Sequence, residues 1–117
     1  MPLIKVQTNV ADVSESTAET LLNSLSSLLA SVLGKSEAYV MTVLEPPTTM
    51  TFGGSAEPAS YMEIKNIGQM TNEQTQQISE AACKLANDHL GVAPDRTYLE
   101  FNDAQRHLWG WNGKTFA

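Results

Sequence analysis

The residue best placed to do chemistry is the second one, Pro2, which follows the initiator methionine. A small residue there permits removal of Met1, and that would expose a secondary amine held rigidly at the start of a strand. An α-amino group ionises near physiological pH, and an apolar surrounding or a nearby cation lowers its pKa by disfavouring the charged form. Such an amine is neutral at pH 7 and suited to proton abstraction, because a general base works best with a pKa near the working pH. A structural explanation competes, since proline also suits the start of an edge strand.

The other reactive side chains are dispersed. His89 and His107 are the only histidines, and neither stands near a cysteine or carboxylate at a metal-ligand spacing, which argues against a metal centre and a histidine-based triad. Cys83, in Ala81-Ala82-Cys83-Lys84-Leu85, falls on the apolar face of a predicted helix, where cysteine behaves as a small hydrophobe. Gly53-Gly54-Ser55 has no Lys-Ser or Lys-Thr after it and opens no helix, so it is a turn and neither a P-loop nor a dinucleotide fingerprint. No cofactor is implied.

The elements that must position Pro2 are legible in the apolar spacing. Leu3, Ile4 and Val6, interleaved with Lys5 and Gln7, predict a strand that begins almost at the first residue. From Ser16 or Thr17, Leu21, Leu22, Leu25, Leu28, Leu29, Val32 and Leu33 draw one helical stripe that Gly34 stops. Tyr39 to Leu44 predicts a second strand, closed by Pro46-Pro47, and Ala59 to Ile67 a third. Thr71 with Gln74 is a capping-box pattern opening a second helix with Ile78, Ala81, Ala82, Leu85, Ala86 and Leu90 on its stripe; Gly91 ends it, and Thr97 to Phe101 is a fourth strand.

The two stopping glycines lie 57 residues apart, 91 minus 34, and each leads into a strand within eight residues. The fold class is therefore α+β: two βαβ repeats forming one four-stranded sheet, with right-handed crossovers that place both helices on one face. Alternate strand residues such as Val40, Thr42, Leu44, Met62 and Ile64 would put apolar groups on the other face, which oligomerisation would cover.

At 117 residues the chain is expected to be a single domain, 1 to 117, able to bury a core unaided. Thirteen acidic residues against seven scattered basic ones leave no basic stripe for a phosphate backbone, which argues against nucleic acid as a partner. No apolar stretch approaches the ~20 residues of a membrane span and no signal-peptide pattern opens the chain. A soluble cytoplasmic protein without a membrane partner is expected, with export by a signal-independent route left open.

Taken in order, Pro2 with Thr8-Asn9-Val10, Gly34-Lys35, Phe52-Gly53-Gly54-Ser55 with Glu57-Pro58, Ile67-Gly68, Pro94-Asp95-Arg96 with Tyr98, Gly110-Trp111-Asn112 and the closing Thr115-Phe116-Ala117 resemble the macrophage migration inhibitory factor family of the tautomerase superfamily. The resemblance spans essentially the whole chain. It implies a homotrimer whose sheets surround a central channel, with active sites between subunits. It also implies cofactor-free keto-enol tautomerisation of phenylpyruvate-like α-keto acids with Pro2 as base, and a weaker activity on dopachrome.

Carried onto this sequence, the resemblance implies that Lys35 and the backbone N–H of Ile67 bind the substrate carboxylate, that Tyr98 comes from the neighbouring subunit, and that Tyr39, Trp111 and Phe116 form aromatic walls. Read without it, Lys35 is a helix-end lysine complementing the dipole and the aromatics are ordinary packing. Glu100 stands where vertebrate members have an asparagine at the pocket's far end, and Trp109 where they have valine near its mouth. A carboxylate there would oppose Lys35 and weaken anion binding. Ala59-Ser60-Tyr61-Met62 replaces the family's Cys-x-x-Cys, so thiol-protein oxidoreductase activity is not expected. Val10-Ala11-Asp12-Val13 lacks the arginine of the receptor-binding pseudo-motif, which argues against cytokine signalling; the competing reading is a signalling or partner-binding protein with a vestigial pocket.

Overall fold

Strand β1 (Leu3–Thr8) alternates half-buried and buried residues, with Ile4, Val6 and Thr8 on its buried face. The computed structural model describes all residues from Met1 to Ala117. Helix α1 (Glu15–Leu33) is capped by Ser14, whose side chain accepts a hydrogen bond from the Thr17 N–H, so it begins one residue before the expected Ser16. Its buried stripe is Leu21, Leu25, Leu29 and Leu33. Helix α2 (Asn72–Leu90) opens on the expected capping box of Thr71 and Gln74 and buries Ile78, Ala82, Ala86 and Leu90. Gly34 and Gly91, at φ 64° and 68°, supply the left-handed stops that residues with a Cβ rarely adopt.

Strands β2 (Met41–Leu44), β3 (Ser60–Ile67) and β4 (Thr97–Ala104) complete a four-stranded sheet in the order β2-β1-β3-β4. β1 pairs with β2 in parallel, β3 with β4 in parallel, and β1 with β3 antiparallel. Two βαβ halves are thus joined back to back in one mixed sheet. The halves keep the 57-residue offset: α1 and α2 start at 15 and 72 and end at 33 and 90, and single 3-10 turns at Glu37–Tyr39 and Pro94–Arg96 precede β2 and β4. Those turns explain one departure from the sequence reading. Tyr39 lies in a turn capped by the Ser36 hydroxyl on Ala38 N–H, so β2 begins only at Met41. β4 runs three residues beyond Phe101 because β3 is long enough to pair with it as far as Ala104. The glycine-punctuated tail adds a hairpin of β5 (Gly110–Trp111) and β6 (Lys114–Thr115).

Thirteen buried residues, among them Ile4, Val6, Met62 and Ile64 from the sheet, form the core between the sheet and the helices. Each buried leucine or isoleucine contributes roughly 1.5–3 kcal/mol. The expectation for the opposite face is corrected here. Met62 and Ile64 are fully buried against the helices, and register places Thr42 and Leu44 on the same side. The open face instead carries Lys5, Gln7, Glu63, Lys65 and Glu100 among Leu3, Val43, Tyr61 and Tyr98. Lys5 Nζ lies 3.7 Å from Glu45 and 3.6 Å from Glu63, and Lys65 lies 3.7 Å from Glu63. No helix is long and apolar enough to cross a membrane.

Arg96 organises the loop between the halves. Its guanidinium donates to the carbonyls of Pro58 (2.8 Å), Phe52 (3.1 Å), Ser55 (3.1 Å) and Glu57 (2.9 Å), and stands 5.4 Å from the Phe52 ring centroid. A lysine cannot reproduce that planar array. Arg96→Lys is expected to leave the core folded but to speed amide exchange at Phe52 and Ser55, which bond each other across the turn, by about tenfold or more, the equivalent of one charge-assisted hydrogen bond of roughly 1.5 kcal/mol. Unchanged exchange at both amides in a hydrogen-exchange experiment would contradict this role.

Candidate functional site

β1 is an interior strand, so the edge-strand explanation of Pro2 does not apply. The Pro2 carbonyl accepts from Met41 N–H at 3.1 Å on the β2 side. On the other side the β1–β3 register, which pairs Leu3 with Lys65, puts Asn66 opposite Pro2. With Met1 in place the Pro2 ring is fully buried. Asn66 is also buried, and its Oδ1 is the one buried side-chain polar atom that lacks a hydrogen-bond partner. A desolvated acceptor without a partner is costly, and here it lies one pairing step from the start of the chain.

Beyond Pro2 opens a cavity of about 650 Å³, lined by Met1 together with Lys35, Tyr39, Ile67, Arg106 and Phe116. Lys35 is placed by the end of α1, where its backbone N–H bonds Ala30 O at 3.0 Å just after the left-handed Gly34. Tyr39 follows through the capped 3-10 turn. Ile67 closes β3, and Gly68, at φ 114°, turns the chain away in a conformation that would strain any side chain. Phe116 is brought back by the β5–β6 hairpin: its N–H donates to Trp109 O (3.1 Å) and to Arg106 O (3.2 Å), and its carbonyl accepts from Arg106 Nε at 2.8 Å.

The electrostatics favour a neutral amine. The Met1 α-amino group is held below its ordinary pKa, first by burial and second by the charge of Lys35. No group of three histidine, cysteine or carboxylate side chains gathers in a geometry that could hold a metal ion. Cys83 is half-buried, and burial raises its thiol pKa, which suppresses the nucleophilic thiolate.

Of the residues singled out in the sequence, Lys35, Tyr39, Ile67 and Phe116 meet around the cavity, with Pro2 behind Met1. Trp111 stands one layer back, edge-on to Tyr39 (centroids 5.4 Å apart) and stacked on Phe116 (6.4 Å). Trp109 is at the root of the hairpin through its backbone bonds to Arg106 and Phe116. Tyr98 and Glu100 do not line this cavity within one protomer. Tyr98 belongs to a second, apolar hollow with Phe52 and Tyr61, and Glu100 pairs laterally with Glu63 on the open face. There the two carboxylates, after burial, raise the Tyr61 phenol pKa. Sequence reasoning missed Arg106, Ser36, Gln69 and Gln105, which also line the cavity. The available signal for Arg106 was its rarity, since an acidic chain with seven cations places few of them by chance.

The family model described as macrophage migration inhibitory factor (MIF) matches residues 1–117. The macrophage migration inhibitory factor of Meriones unguiculatus is 37% identical over the full length of both chains. The homolog of Trichuris trichiura is 34% identical over 99% of this chain and all of its own. Among solved structures, the homologue from Prochlorococcus marinus superposes with a TM-score of 0.92 at 46% identity, covering 98% of this chain and 99% of that one. The Toxoplasma gondii protein gives 0.94 at 28% identity, covering 97% and 99%.

Because the Lys35 charge contributes to the depressed amine pKa, Lys35→Ala is expected to move the titration of the chain-terminal amine to higher pH, toward but not up to the ordinary value, since burial remains. At pH 7 a smaller fraction of the amine is then neutral. Acylation of the terminus, followed by intact mass across a pH series, should be slower in the variant at every pH below the amine's titration; coincident profiles would rule the coupling out.

Proposed function

The chain belongs to the macrophage migration inhibitory factor family, and from that premise we propose that it is a cofactor-free keto-enol tautomerase of phenylpyruvate-like α-keto acids, acting as one domain over residues 1–117. The observation that carries the reading is the cavity itself, in which a depressed-pKa amine, a lysine and apolar aromatic walls converge at the start of the chain. After removal of Met1 the amine is the Pro2 nitrogen, one residue deeper in the chain.

Lys35 and the Ile67 backbone N–H take the substrate carboxylate, while Tyr39, Phe116 and, behind them, Trp111 hold the aryl ring and exclude water. In the keto-to-enol direction the neutral Pro2 nitrogen removes a proton from C3, the C–H electron pair becomes the C2–C3 double bond, and the carbonyl oxygen takes up a proton. The reverse direction returns the proton to carbon. One proton changes place and no oxidant enters the balance. Asn66 Oδ1 offers an acceptor for the prolinium N–H that does not face the substrate. Dopachrome is a weaker second substrate.

The active assembly in this reading is a homotrimer with sites between subunits. Both edge strands carry exposed large apolar side chains, Met41 on β2 at 62% and Tyr98 on β4 at 66%. Contact between two different edges is head-to-tail, and such contacts form a ring when the rotation between subunits closes, here after three. Tyr98 then reaches the neighbouring cavity, with Glu100 two residues on along the same face and Trp109 near the mouth.

Phenylpyruvate ketonisation, followed by ultraviolet absorbance, tests the mechanism on protein whose mass shows loss of Met1, beside Met1-retaining protein. Retention makes the Pro2 nitrogen an amide, so turnover should fall by the 10²–10⁴-fold that general bases typically supply, with the assembly mass unchanged. Pro2→Gly should show the same order of loss. Equal activity with and without Met1 would eliminate Pro2 as the base, and inactivity of both in an intact trimer would favour a binding role for the cavity.

A further inference from the structure

We propose that Asn66 is a positioning residue for the Pro2 amine: its unpartnered Oδ1 accepts the N–H that removal of Met1 creates, and this bond sets the direction and the basicity of the amine. The proposal rests on the tautomerase reading for Pro2 as the reacting group and adds what holds that group in place.

The sheet gives the first support. Pro2 O accepts from Met41 N–H and Val6 O from Glu45 N–H, so the even-numbered residues of β1 turn their main-chain groups toward β2. Pro2 and Asn66, one step beyond the Leu3–Lys65 pair, therefore stand opposite each other without a main-chain bond between them, as Ile4 and Ile64 do. Residues in such pairs lie about 4.5 Å apart at Cα and bring their side chains closest. Pro2, Ile4 and Ile64 are fully buried and Asn66 is 3% exposed, so the proline ring and the amide share the helix-facing side of the sheet.

The second support is the donor that Oδ1 lacks. On β4 the register neighbour of Asn66 is Asp103, whose carboxylate accepts from Met70 N–H at 3.1 and 3.3 Å and has no proton to give. On β1 the neighbour is Pro2, which has no N–H while Met1 is attached. Loss of Met1 turns that amide nitrogen into a secondary amine with one N–H when neutral and two when charged. Of the two cross-strand neighbours, the one that gains a donor is thus the group that processing exposes.

A neutral proline nitrogen carries its hydrogen on one side of the ring and its lone pair on the other. Oδ1 holds the hydrogen on its own side and leaves the lone pair to the cavity. As the nitrogen takes a proton from the substrate carbon it becomes positive, and a hydrogen bond from a charged donor is about twice as strong as a neutral one. The bond strengthens as the proton arrives, which is when it lowers the barrier. Asn66 therefore favours the charged amine, opposing the charge of Lys35. The other titratable groups around the amine are Tyr39, Arg106 and Asp103, with Glu100 of the neighbouring subunit in the trimer. Substitution of Asn66 leaves all of them in place.

The test uses Asn66→Ala and Asn66→Asp beside the parent, each with and without Met1 at one protein concentration. In Met1-retaining protein Asn66→Ala removes an acceptor without a partner; in processed protein it removes a hydrogen bond. The loss of melting temperature is expected to be greater in the processed form, by roughly 4 °C or more. Acylation of the processed terminus across a pH series should place the amine's titration at lower pH in Asn66→Ala and at higher pH in Asn66→Asp, because alanine withdraws support from the charged amine and a carboxylate adds to it. For phenylpyruvate, Asn66→Ala should lower kcat about tenfold with KM nearly unchanged, and move the acid limb of the pH profile in the same direction as the titration. Equal melting losses with and without Met1, together with coincident titrations, would mean that Asn66 only fills space and would overturn the proposal. A titration moved to higher pH in Asn66→Ala would also overturn it, since the amide would then be donating to the lone pair. If the processed parent leaves phenylpyruvate unchanged, the tautomerase reading fails, and the melting and titration comparisons still decide the role of Asn66.

Discussion

The antiparallel pairing of β1 with β3 is the constraint on which the rest of the structure depends. It joins the two βαβ halves and makes β1 an interior strand, so the start of the chain is paired on both sides and cannot fray. A slip of one residue would turn Ile4 and Val6 onto the open face and drive Lys5 and Gln7 into the helices. The apolar alternation that builds the core thereby also fixes where Pro2 sits: beside Met41, across from Asn66 and within reach of the α1 C-terminus. The placement of the reactive end needs no device of its own.

Charge is segregated by the same sheet. Its open face carries Lys5, Glu45, Glu63 and Lys65 in half-exposed ion pairs, which contribute little individually because water screens them. Their arrangement matters more than their strength. Within the sheet, the large apolar side chains left exposed are on the edge strands, Met41 and Tyr98. Two of the cations without an ion-pair partner, Lys35 and Arg106, line the cavity at the chain start. Lys35 is close enough for its charge to lower the pKa of the terminal amine.

The fold was largely legible because it rests on short-range signals. Leucine spacing, the Thr71–Gln74 box and the two stopping glycines lie within a few residues of what they control, and the 57-residue repeat follows from them. The open face was misassigned for a definite reason: period-two alternation tells which residues share a face but not which face meets the helices, and only the pairing of β1 with β3 decides it. Of the site, only Pro2 was singled out by a local signal, its place at the start of a strand; Lys35, Tyr39, Ile67 and Phe116 were assigned by resemblance, and the structure brings these four around one cavity. Arg106 escaped because it reaches the cavity through a bond to Phe116, ten residues on, and Asn66 because its meaning depends on a strand partner 64 positions away. Tyr98 and Glu100 were assigned to the pocket by resemblance, and in one protomer they stand elsewhere.

The repeat offers two equivalent positions for a cavity, and the chain uses them differently. At the 57-residue offset Pro2 corresponds to Ala59, Lys35 to Val92 and Tyr39 to Arg96. Ala59 continues from Pro58, so no chain end exists there. Val92 is fully buried in the core, and Arg96 is committed to four loop carbonyls. The hollow that remains, with Phe52, Ala59, Tyr61 and Tyr98 on its walls, contains no charged residue. The first half begins where the chain does and keeps its lysine in the open; the second is crossed by a connecting loop and presents an aromatic, uncharged surface. One fold unit used twice thus carries a cavity with two cations in one half and an aromatic, uncharged hollow in the other.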